Sequence, residues 1–201
     1  MPISDLSGNV VNARTNGSST LVMTIENNYF ALFGLPETFR VDTAQLSDRY
    51  LSLQKTLHPD RYAHLGEREQ LRAVQAVAHL NDALSTLKSP LKRAAYLLEL
   101  KGVDTDASST TVSDSGFLMQ QMALREQLDE ARDAVDPLLA LEQLLQHTEQ
   151  LRLQLFGRLE ADLASDDPAA AAQALQTLRK LQFFDKLRQQ IELLEDQLAD
   201  L

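Results

Sequence analysis

The feature that most constrains this chain is where its prolines fall among apolar residues of helical spacing. Proline lacks a backbone N–H and disfavours helical geometry in the residue before it, so it stops a helix from within but suits the first turn. Pro59 therefore closes one helical run, while Pro90, Pro137 and Pro168 each open another. Between them apolar residues recur every three or four positions, as in Leu46, Tyr50, Leu53 and Leu57. The spacing predicts helices over 28–33, 43–57 (with Asp42 or Thr43 as N-cap), 67–87 and 90–100, the last ended by Gly102. Three more follow over 117–135, 137–164 and 168–200, and the last carries Phe184, Leu187, Ile191, Leu194 and Leu198 on one face. Leu71, Val74, Val77, Leu80, Leu84 and Leu87 are expected to form the inward face of the third helix, with Tyr29, Phe30 and Phe33 plugging one end of the second and third. No segment alternates with the period of a strand. The expected fold is all-α: an antiparallel helix pair with short flanking helices, then a three-helix bundle.

Composition sets the domain boundaries. Residues 1–24 are rich in Ser, Thr, Asn and Gly without periodicity, which predicts a disordered extension. They lack the basic start and longer apolar run of a secretory signal, and Met23 offers an alternative start. A first domain is expected over 25–101, a Ser/Thr/Asp-rich linker over 102–115 and a second domain over 116–201. The net charge of −10 is uneven: residues 1–113 carry eleven Lys and Arg against twelve Asp and Glu, residues 114–201 eight against seventeen. An acidic second domain repels phosphates and disfavours nucleic-acid binding. With no cysteine there are no disulfides and no cysteine-ligated zinc or iron–sulfur cluster, which fits a reducing compartment. No apolar run is long enough to span a membrane.

Against that acidity, the stretch 40–61 is locally cationic, with Arg40, Arg49, Lys55 and Arg61 against Asp42, Asp48 and Asp60. It ends in His58-Pro59-Asp60, an imidazole and a carboxylate either side of a stiff residue. A partner can read such a group at little ordering cost. Taken alone, the three residues are also consistent with an ordinary helix-ending turn.

Their surroundings narrow the reading. Tyr29-Phe30-Ala31-Leu32-Phe33-Gly34-Leu35 stands upstream and a long helix runs downstream. Over residues 28–100 this order resembles the J-domain of DnaJ-type co-chaperones. The Gly/Phe-rich segment and cysteine-rich zinc module of general DnaJ proteins are missing. Phe117-Leu118-Met119, Arg125-Glu126, Leu128-Asp129-Glu130 and Leu178-Arg179-Lys180-Leu181 with Phe183 and Asp185-Lys186-Leu187-Arg188 are instead similar to the HscB family, J-type co-chaperones of iron–sulfur cluster assembly, in its bacterial form.

That resemblance implies a cytoplasmic co-chaperone and no enzyme. Its first domain would stimulate ATP hydrolysis by the DnaK-class chaperone HscA, and its second would deliver the cluster scaffold IscU. It implies a chaperone-binding set of His58, Pro59, Asp60, Arg49, Lys55 and Arg61. The implied scaffold-binding set is Leu118, Met119, Met122, Glu126, Glu130 and Phe183. Positions 118, 122, 126 and 130 also line one helical stripe by spacing, though spacing alone favours Leu118 and Met122 as bundle core. The family often has an acidic residue where Ala123 stands, which implies one polar contact fewer.

Other chemistry finds little support. His58, His64 and His79 with Asp60 or Asp82 lack metal-ligand spacing. There is neither a nucleophile elbow nor a Gly-rich phosphate loop, so no cofactor or nucleotide is expected. The competing reading is a helical adaptor with a J-like fold and no effect on ATP turnover. An enzyme with an unrecognised site is the remaining one.

Overall fold

The computed structural model describes residues 28–62, 64, 66–105 and 114–199. The extension expected over 1–24 and most of the expected linker lie outside them. Every regular element among the described residues is helical: α1 (Tyr29–Leu32), α2 (Thr43–Leu57), a 3-10 turn (Pro59–Tyr62), α3 (Glu67–Lys88), α4 (Pro90–Leu100), α5 (Ser115–Arg132), α6 (Pro137–Ala164) and α7 (Pro168–Ala199). Prolines open α4, α6 and α7 as expected, and α5 ends three residues earlier than expected.

The chain divides into two compact units. Among the described residues the first comprises those within 28–35 and 44–84, and the second those within 36–43, 85–105 and 114–199. Residues 36–43 and α4, which the sequence boundaries place in the first domain, thus belong with the second unit.

In the first unit, α2 and α3 form an antiparallel pair. Leu46 and Leu57 are fully buried on α2, and the Tyr50 hydroxyl donates to Asn81 Oδ1 of α3 at 2.9 Å. Phe30 and Phe33 are buried, and Tyr29 meets His79 edge-on at 5.3 Å. The inward face of α3 corrects the expectation. Leu71 and Val74 are more than half exposed, while Ala73, Ala76, Leu80, Ala83 and Leu87 are fully buried. At about 100° per residue, Leu71 and Leu80 point to opposite sides of the helix. The buried set runs at three, four, three and four and stays on one face.

Phe33-Gly34-Leu35 has a local explanation. Gly34 has φ +58°, and its N–H donates to Ala31 O at 3.0 Å while Leu35 N–H donates to Phe30 O at 2.9 Å. This is a Schellman ending, with buried Leu35 and Phe30 at its apolar positions. Gly102 (φ +78°) ends α4 in the same way.

In the second unit α5, α6 and α7 form the bundle, and α4 packs on α6 and α7. Its core joins Phe117, Leu124 and Ala131 of α5, Leu141 and Leu144 of α6, and Phe184, Leu187, Ile191 and Leu194 of α7. Each such leucine, taken fully out of water, contributes about 1.5–3 kcal/mol. Segment 36–43 is tied into this unit. Phe39 stacks on Phe156 at 6.3 Å, Arg93 lies over Phe39 at 5.2 Å, and Arg40 pairs with Glu160. Arg93 is buried and donates to Leu87 O, and desolvation lowers its pKa. Lys101 Nζ donates to Leu163 O at 2.8 Å and Ser165 O at 2.6 Å, placing a cation at the negative end of α6.

Candidate functional site

Two sets of side chains stand out, one in each unit. In the first, α2 ends at Leu57 because Pro59 disfavours helical geometry at His58. The chain then tightens into the 3-10 turn, with Arg61 N–H donating to His58 O at 3.0 Å. Buried Tyr62 anchors the turn, its hydroxyl donating to Thr56 O at 3.4 Å. The functional groups point outward: the Asp60 side chain is 89% exposed and that of His58 56%. His58 Nδ1 accepts from Asp60 N–H at 3.3 Å and lies 3.4 Å from Asp60 Oδ2. Both contacts hold the imidazole and the carboxylate together.

The cations expected around this turn behave differently from one another. Lys55 and Arg61 are exposed and make no ion pair among the described residues. Arg49 is half-buried, and its Nη1 donates to Phe33 O and to Gly34 O (2.8 Å). One arm of its guanidinium is thus committed to the carbonyls that follow α1. His79 packs against Tyr29 rather than joining His58 and Asp60, and no group of three potential metal ligands forms among the described residues.

The second set lies on α5 and α7. Asp114 caps α5, accepting from Phe117 N–H at 3.0 Å, and binds Lys180 Nζ of α7 at 2.6 Å. Those hydrogen bonds, Lys180 first, hold the Asp114 carboxyl below the usual range. Lys180 also lies over the Phe117 ring at 5.1 Å. The start of α5 is thereby fixed in rotation. Phe117 and Leu124 turn inward, while Leu118, Met119 and Met122 are 56%, 73% and 66% exposed. Leu118 and Met122 are therefore not bundle core, which corrects the reading that spacing alone favoured. Glu126 and Glu130 continue the stripe, both exposed. Phe183 of α7 is half-buried and meets Phe117 and Phe184 edge-to-face at 5.7 and 5.5 Å. The result is an exposed apolar patch that becomes acidic along α5, with adaptable methionines at its centre.

Sequence reading missed Arg125, whose guanidinium lies 5.7 Å from the Phe183 ring centroid, and the Asp114–Lys180 pair. The signal for Arg125 was its position, three residues beyond Met122. A cavity of about 570 Å³ in the second unit, lined by Phe39, Leu97, Leu100, Lys101 and Leu163 among others, includes no residue of either set.

Residues 113–192 match the family model of the HSCB C-terminal oligomerisation domain. The chain is 44% identical over 171 residues to the co-chaperone protein HscB homolog of Shewanella loihica, covering 85% of this chain and 99% of that protein. Identity to the Pseudoalteromonas atlantica homolog is 47% over 173 residues, 86% of this chain and 99% of that one. Among solved structures, the chaperone HscB from Vibrio cholerae superposes with a TM-score of 0.76 at 41% identity, covering 86% of this chain and 99% of that chain. Human co-chaperone protein HscB gives 0.72 at 28% identity, covering 84% and 82%.

Proposed function

This chain belongs to the HscB family of co-chaperones, and from that premise we propose that it couples an ATP-driven chaperone to an iron–sulfur cluster scaffold. The chaperone is of the DnaK class, HscA, and the scaffold is IscU. The observation that carries this reading is the exposed Asp60 carboxylate, displayed on a turn whose backbone is braced by His58 and Tyr62. A carboxylate so held makes a charge-assisted hydrogen bond to a basic group on the ATPase without first being ordered. Lys55 and Arg61 steer the encounter with an acidic surface.

The co-chaperone hydrolyses nothing itself and holds no cofactor. It favours its partner's hydrolysis-competent state by binding that state more tightly. Leu118, Met119, Met122 and Phe183 form the scaffold's apolar seat, and Glu126 and Glu130 pair with its cations. The chain's similarity to bacterial HscB homologs supports a cytoplasmic setting.

The test is steady-state ATP turnover by the chaperone with wild-type chain and with Asp60→Asn. Stimulation by wild type and its loss in the variant, at unchanged helicity, are expected. Equal stimulation by both would take the role from Asp60, and no stimulation by wild type would leave the adaptor reading in its place.

A further inference from the structure

We propose that Arg125 is a positioning residue of the client-facing surface, holding the Phe183 ring in the pose that completes the apolar patch of Leu118 and Met122. This rests on the scaffold-binding reading above and adds to it a residue that acts through another. The inner side of the Phe183 ring is set by Phe117 and Phe184, which are 5% and 1% exposed and meet it at interplanar angles of 86° and 71°. The guanidinium of Arg125 lies over the half-buried ring, 5.7 Å from its centroid.

Arg125 comes from the other helix of the patch. It stands three residues after Met122 and seven after Leu118, and so on the same flank of α5. It is exposed and makes no ion pair among the described residues, although Asp129 lies one turn further on. The ring, not a carboxylate, holds it. A planar, weakly hydrated guanidinium suits that role better than an ammonium, and a ring ordered in advance spares the partner the cost of ordering it.

The test is a double-mutant cycle on the full chain, reading the Kd for the purified cluster scaffold by titration calorimetry. Arg125→Gln is expected to weaken binding about two- to five-fold, the range of an exposed cation–ring contact. Arg125→Lys, which keeps the cation, recovers part of that loss. In a Phe183→Leu background Arg125→Gln has no further effect. If Phe183→Leu weakens binding but Arg125→Gln does not, the positioning role is overturned and the client surface stands. Full additivity also overturns it, because Arg125 then touches the scaffold directly. If Phe183→Leu itself leaves the Kd unchanged, the client-surface reading fails and this inference falls with it.

Discussion

Replacing Leu118 and Met122 together by alanine separates a binding surface from a core. Full burial of a leucine or methionine side chain contributes about 1.5–3 kcal/mol. The exposed fractions, 56% and 66%, are what a docked partner has left to cover. Together they correspond to about 1.8–3.7 kcal/mol of binding, or roughly 20- to 500-fold in Kd. Alanine retains its Cβ, which makes this an upper range. The fraction already covered within the fold corresponds to about 1–2 kcal/mol of stability, partly offset by the better helix propensity of alanine. Two core positions would instead cost about 4–10 kcal/mol. Calorimetric titration with the scaffold and urea unfolding followed by circular dichroism measure both quantities on one sample. Binding that weakens at least tenfold with little loss of stability is expected. Collapse of stability, or an unchanged Kd in a stable variant, would refute the reasoning.

Gly34→Ala should destabilise the chain. A Cβ at φ +58° costs about 1–2 kcal/mol, and it would lie 2.5 Å from Arg49 Nη1, displacing that group from Phe33 O and Gly34 O. A urea midpoint equal to wild type would contradict this. Asp114 gives a pH dependence of definite sign. Its folded pKa is depressed, so its stabilisation is complete above the unfolded value of about 3.9 and is lost as pH falls through the folded value. Melting temperatures of wild type and Asp114→Asn should differ most near neutral pH and converge in acid. A gap that widened in acid would reverse the assignment.

Much of the fold was legible because the punctuation is chemical. Pro90, Pro137 and Pro168 set helix starts through a missing N–H, and Gly102 ends α4 through its positive φ. The inward face of α3 is less legible because Leu71 and Val74 share apolar spacing on another side of the helix, whereas the buried face is carried largely by Ala73, Ala76 and Ala83. The Asp60 turn was legible from three residues, but the commitment of Arg49 was not. It follows from carbonyls left open by the α1 ending, 15 and 16 positions upstream. Likewise the exposure of Met119 and Met122 depends on the rotation of α5, which is set by the Asp114 cap and its bond to Lys180 across 66 residues. Long-range pairs of this kind leave no periodic trace.

Coupling of two partners through one polypeptide is tested most directly by mixing two defective chains. One carries Asp60→Asn; the other carries Leu118→Ala with Met122→Ala. Chaperone ATP turnover is measured with the scaffold present, for each variant alone, for the equimolar mixture and for wild type. If delivery needs both surfaces on the same molecule, the mixture turns over ATP no faster than its two components taken together. Recovery of the full wild-type rate by the mixture would show that the surfaces act independently, and the coupling would have to be given up.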